Sequence, residues 1–142
     1  MQARRRLLVL PVLGLLTGVI GGCSTHGLAL RQDDRVSITA PKDGAEVRLP
    51  MTVRWTAHDI DLGPGASSFG VVVDDAPPRP GDTADDRVVR TTATSAVLDH
   101  LGSTNRPGGQ GGHEITVILL DAHGRRQGEG AWQVRVDLKA AT

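Results

Sequence analysis

Apolar and polar residues alternate strictly from residue 35 to residue 40, with Val36, Ile38 and Ala40 on one face and Arg35, Ser37 and Thr39 on the other. A period of two marks a half-buried β-strand, because successive side chains leave a pleated backbone on opposite sides. Pro41, Lys42, Asp43 and Gly44 then predict a turn, Asp-Gly being a favoured pair where the backbone reverses. After an extended piece at 45–49 and a break at Pro50, Met51, Val53, Trp55 and Ala57 alternate with Thr52, Arg54, Thr56 and His58, the clearest strand in the chain. A loop carrying Gly63, Pro64 and Gly65 separates it from the next apolar face, Phe69, Val71 and Val73.

Residues 74–86 break the pattern. Pro77, Pro78, Pro80 and Gly81 are mixed there with Asp74, Asp75, Asp82, Asp85 and Asp86. Proline has no N–H to give to a sheet ladder, so this segment is expected outside the sheet or on its rim. Two weaker strands are expected at 87–92 and 95–100, followed by a glycine-rich connector at 102–112. Residues 113–121 are apolar on both faces, with Ile115, Val117 and Leu119 on one and Ile118 and Leu120 on the other. Such a run predicts a central strand whose second face is covered by neighbours or by a partner. Asp121, Ala122, His123 and Gly124 supply a turn, and the last strand sets Trp132, Val134, Val136 and Leu138 against Gln133, Arg135, Asp137 and Lys139. Helical spacing with caps is found nowhere over a comparable length. About seven short strands divided by Gly, Pro and Asp turns predict an all-β chain, an antiparallel β-sandwich with one core.

The amino-terminal stretch obeys a different logic. Arg4, Arg5 and Arg6 lead into an apolar run at 7–20 that ends in Gly21, Gly22 and Cys23. A basic start, a short apolar middle and small residues before a cleavage point are the parts of a secretory signal. Residues 7–22 are interrupted by Pro11, Gly14, Thr17 and Gly18, and fall short of the roughly 20 apolar residues a membrane-spanning helix needs. A cleaved signal at 1–22 is therefore expected, with Arg5-Arg6-Leu7-Leu8 leaving a twin-arginine export route open beside the ordinary secretory one. Ile20-Gly21-Gly22-Cys23 resembles the lipobox of bacterial lipoproteins. That resemblance implies a palmitate-type lipid on the Cys23 sulfur, and with it anchorage to the outward-facing side of the cell membrane or of an outer membrane. Residues 23–34 then form the lipidated start and a flexible tether, 35–139 the sandwich, and 140–142 a tail.

Charge and composition narrow the partners. Formal net charge is zero, turning mildly acidic once the three signal arginines are gone, which gives no footprint for nucleic acid. Cys23 is the only cysteine, so once lipidated it leaves no thiol for a disulfide, a zinc cluster or a nucleophile. Trp55, Trp132 and Phe69 are the only aromatic residues, too few for a platform that stacks sugars or bases, and they are expected in the core.

With the strands assigned, the chain resembles bacterial immunoglobulin-like or fibronectin-III-like domains of exported proteins. The residues that carry the likeness are 41–47 after the first strand, Trp55, Val72-Val73-Asp74, and residues 113–124 with the Trp132 strand that follows. It implies that Trp55 and Trp132 lie on the inner faces of opposite sheets and share one core.

Candidate chemistry is sparse. A Gly-x-Ser-x-Gly nucleophile elbow is absent, and His26, His58, His100, His113 and His123 are scattered singly without metalloprotease spacing. Asp74, Asp75, Asp82, Asp85 and Asp86 offer oxygen ligands of the kind calcium takes in sets of roughly six to eight, but lack the spacing of a known calcium loop. A solvated acidic loop is the expectation. His113 and His123 are expected as polar residues at the ends of elements. Pro41-x-Asp43-Gly44-Ala45-x-Val47 also resembles the start of periplasmic copper-binding sandwiches, which implies copper as a ligand. Here, however, a mature amino terminus at acylated Cys23 departs from the amino-terminal histidine of that family. The sequence thus predicts a membrane-anchored, non-catalytic protein-binding or structural module with an envelope protein as partner, no cofactor and no small-molecule substrate. Binding of copper or calcium is the alternative. Its candidate contact residues are Asp74, Asp75, Asp82, Asp85, Asp86, His113 and His123.

Overall fold

The computed structural model describes residues 34–102 and 112–139. The expected signal, Cys23, nearly all of the tether, most of the glycine-rich connector and the tail lie outside the described residues.

Among the described residues, eight strands follow one another: β1 (Val36–Ala40), β2 (Ala45–Val47), β3 (Met51–Ala57), β4 (Ser68–Val73), β5 (Val89–Thr91), β6 (Ser95–Leu98), β7 (Gly112–Leu120) and β8 (Arg126–Leu138). They form a three-stranded sheet in the order β1-β3-β6 and a five-stranded sheet in the order β2-β8-β7-β4-β5. The fold is the expected all-β sandwich of two sheets, with one strand more than the alternation suggested. The extra strand is β2, and it departs from the expected antiparallel rule by running parallel to β8, with Ala45 opposite Val136 and Val47 opposite Leu138. The cause lies in residues 41–44, whose turn carries the chain across from one sheet to the other and so gives no hairpin. Gly44 sits at φ +74° and donates its N–H to the Arg135 carbonyl at 2.8 Å, while the Arg135 N–H donates to Asp43 Oδ1 at 2.8 Å. Asp-Gly at this point satisfies the left-handed backbone that the crossing requires.

Between the sheets lies a core that includes Val53, Trp55, Phe69, Val71, Ile115, Val117, Leu119, Trp132 and Val136, all buried. Trp55 comes from the small sheet and Trp132 from the large one, as expected, and Trp55 meets Phe69 edge to face with ring centroids 5.2 Å apart.

A second cluster lies on the outer face of the large sheet: Val72, Ala84, Val88, Ile118, Leu120 and Ala131. This is the cover that the two-faced apolar run of β7 called for. It is supplied from within the chain by residues 74–88, which fold back over β4 and β7. Gly70 makes the approach possible, since a Cβ there would come within 2.7 Å of Val88 Cγ1.

Candidate functional site

The covering segment contains every acidic residue that the sequence nominated, so its geometry decides what they can do. It is tied to the turn after β7 by backbone bonds: Ala84 N–H to the Gly124 carbonyl, Arg126 N–H to the Asp82 carbonyl and Gly81 N–H to the Arg126 carbonyl, each at 2.9 Å. Thr83 and Arg125 form an isolated antiparallel bridge there. Arg126, a buried cation missed by the sequence reading, fastens the middle of the segment. Its Nη1 donates to the Pro78 carbonyl at 2.8 Å and its Nη2 to the Glu129 carbonyl at 3.0 Å. Burial pulls its pKa below the usual arginine value. It opposes Leu120 in the ladder just where β8 bulges, and its alternation there is out of step with the Trp132 half of the strand.

The acidic side chains do not converge. Asp75 and Asp85 both reach Arg87: Arg87 Nη2 donates to Asp85 Oδ2 at 2.6 Å, Arg87 Nη1 reaches Asp75, and the Arg87 N–H caps Asp85 Oδ1 at 3.0 Å. Those bonds hold the Asp85 carboxyl below the usual carboxylate range and raise Arg87. Asp75 Oδ1 also accepts the Ala76 N–H at 2.8 Å. Asp82 and Asp86 are exposed on the same segment. Among the described residues, no three or more His, Cys, Asp or Glu gather closely enough to hold a metal ion.

Asp74 is separate from this group. At φ +55° it ends β4, donates its N–H to the Glu114 carbonyl at 2.8 Å and points its carboxylate at β7, where Oδ1 accepts the Glu114 N–H at 2.8 Å. Its Oδ2 accepts a hydrogen bond from His113 Nδ1 at 2.7 Å. His113 is only 6% exposed. His113 stands near the start of β7, where a polar residue is expected, and it is buried there: it lies opposite Val136 of the inner core, and the carboxylate that satisfies it comes from 39 positions away. Gly102 packs on this pair, a Cβ there lying 3.1 Å from Asp74 Oδ2. The arrangement extends the β4–β7 ladder beyond the last backbone pair and positions a buried imidazole; it offers no neighbouring nucleophile among the described residues. His123 is exposed in the turn after β7, where Asp121 Oδ1 accepts its N–H and that of Arg125, each at 2.9 Å. These backbone bonds keep Asp121 below the usual carboxylate range.

Two flanks of the sandwich remain. On one, β5 and β6 end their sheets side by side, with Val97 65% and Val89 42% exposed. On the other, a groove of about 370 Å³ runs between β1 and β8, lined by Asp34, Val36, Ser37, Ile38, Trp132, Gln133 and Val134.

No family model and no curated protein matches the chain. Among solved structures it is similar to the fibronectin(III)-like modules of CbhA from Clostridium thermocellum, with 21% identity and a TM-score of 0.45 over 75% of this chain and 99% of that one. It is also similar to the endo-β-1,4-mannanase of Thermotoga petrophila, with 18% identity and a TM-score of 0.45 over 78% of this chain and 20% of the mannanase.

Proposed function

We propose that the chain is a non-catalytic binding module of the bacterial cell envelope, held by a lipid on Cys23 to the outward-facing side of a membrane. Its body works by surface contact with another envelope protein. The observation that carries this reading is how the polar groups are used: Asp74, Asp75, Asp85, His113 and Arg126 are engaged in holding strands and the covering segment together. What the sandwich presents outward is strand edge, and the β5–β6 flank does so with two exposed valines. A partner strand adding to such an edge gains backbone hydrogen bonds and side-chain contacts at alternate positions.

The test is a photo-crosslinking residue at Val97 in cells with intact envelopes. A specific protein adduct, lost when Val97 and Val89 are both replaced by lysine, is expected. No adduct at that flank, together with tight binding of copper or calcium by the purified protein, would transfer the function to metal handling. Radiolabelled palmitate is expected to enter the wild-type chain and to be absent from Cys23→Ser protein; equal labelling of both would remove the anchor.

A further inference from the structure

The covering segment carries a second feature, which faces outward. In Ala76-Pro77-Pro78-Arg79-Pro80 every residue is a proline or stands directly before one. A proline fixes its own φ at roughly −65° and drives the residue before it out of the helical region, so the run is held to an extended, polyproline II backbone. In agreement, residues 76–79 belong to no helix, strand or turn. A polyproline II helix repeats every three residues, and Ala76 and Arg79, three apart, are exposed while Pro77 and Pro78 between them are half-buried. The run is also fixed in place. At its start the Ala76 N–H donates to Asp75 Oδ1 at 2.8 Å, and in its middle the Pro78 carbonyl accepts from Arg126 Nη1 at 2.8 Å. At its end the Asp82 N–H donates to the Arg79 carbonyl at 2.9 Å, closing a turn with Pro80 and Gly81 at its centre and Gly81 at φ +88°.

What this ridge offers is apolar rings and carbonyl oxygen. Its prolines have no N–H, the Ala76 N–H is taken by Asp75, and the Ala76 and Pro77 carbonyls accept no hydrogen bond among the described residues. Beside them Arg79 is exposed and forms no ion pair among the described residues, whereas Arg87 is shared by Asp75 and Asp85. We infer that the ridge at 76–80 is the docking surface for a partner protein with an aromatic-lined groove. Trp or Tyr side chains of that groove receive the proline rings and donate to the Ala76 and Pro77 carbonyls, and a carboxylate at its rim pairs with Arg79. Trp and Tyr are the side chains that combine a wide apolar face with a polar hydrogen at the edge, which is what an acceptor-only ridge requires. A ridge already fixed in its bound form loses little conformational entropy on docking. The inference goes beyond the strand-edge reading, since it needs neither a strand added at Val97 nor a lipid on Cys23. It also gives the cover a second use: the bonds that hold it against the sheet keep the ridge in the shape that its partner reads.

A photo-crosslinking residue at Ala76, placed in the full chain in intact cells, tests it. A specific protein adduct is expected, mapping on the partner to a peptide that contains Trp or Tyr. Arg79→Glu, which removes no hydrogen bond of the fold, is expected to cut the yield of that adduct about tenfold. Pro77→Ala combined with Pro80→Ala is expected to lower it as well, by loosening the ridge. Exchange of the Ala84 amide at the wild-type rate in each purified variant is the control that the cover still sits on the sheet; should the proline variant fail it, Arg79→Glu alone decides. No adduct at Ala76, an adduct indifferent to Arg79→Glu, or one that maps to a partner surface without aromatic residues would overturn the inference. Crosslinks at Val97 are read separately, so the two readings fail independently.

Discussion

The two cores of this domain are built by different rules. The inner one is made of strands facing strands, filled by Trp55, Phe69, Trp132 and branched aliphatics that recur every second residue. The outer one is a smaller apolar patch on one sheet, covered by an irregular, proline-containing segment. The first holds by burial of large side chains, the second by a glycine that allows close approach, a few aliphatics and a buried guanidinium that binds carbonyls. An acidic stretch can therefore be structural: the carboxylates of Asp75, Asp82, Asp85 and Asp86 stay at the surface while Ala84 and Val88 turn inward.

The largest separation between the two should come from the tryptophans. Trp55→Ala or Trp132→Ala is expected to cost roughly 3–5 kcal/mol, read as a lower urea midpoint for the whole domain with an unchanged slope. A Trp55→Ala protein that melts like wild type would contradict a shared inner core.

Next comes the clamp. Arg126→Met keeps the apolar stem but leaves the Pro78 and Glu129 carbonyls without their donor, at a cost of roughly 2–4 kcal/mol. Part of this should be local: trypsin is expected to cut the Arg87–Val88 bond of the cover well before the variant unfolds, whereas wild type resists. If the cleavage rate simply follows global unfolding, the cover and the sandwich are one cooperative unit.

Gly70→Ala should be milder, roughly 1–3 kcal/mol, because its Cβ must displace Val88 on the outer side while Val71 and Phe69 keep their inner packing. Combined with Val88→Ala, which clears the 2.7 Å approach, it should cost less than the sum of the single changes.

The smallest effect is electrostatic. Asp85 and Asp121 have carboxyls held below their ordinary pKa by hydrogen bonds, chiefly from the Arg87 side chain and the Arg125 backbone. Their contribution is present above about pH 4 and is lost as pH falls through the depressed folded value. Both are exposed, so the acid-induced loss of stability should shrink only slightly in Asp85→Asn protein, measured by thermal melts between pH 5 and pH 3.

This contrast also explains what could be read from the chain alone. Alternation revealed the faces that make the inner core, because each strand buries one face; the opposition of Trp55 and Trp132 came from the resemblance to immunoglobulin-like domains and not from periodicity. Of the outer core it revealed only the need, through Ile118 and Leu120 on the second face of β7, since an irregular cover has no period. Arg126 was hidden by the bulge at 127–130, which shifts it out of step with the rest of β8. The Asp74–His113 pair was hidden by distance along the chain: both residues were singled out, but nothing local says that they meet. β2 escaped notice as a strand of its own because three residues are too few to show alternation.

The central claim, that residues 74–88 are a structural cover belonging to the fold, is tested most directly by native-state hydrogen exchange in metal-free buffer. The Ala84 and Arg126 amides, bonded to the Gly124 and Asp82 carbonyls, are expected to exchange slowly, within about tenfold of the Ile118 amide in β7. Exchange of Ala84 at the rate of an open loop, slowed only when calcium or copper is added, would make the segment a ligand site that happens to lie over the sheet.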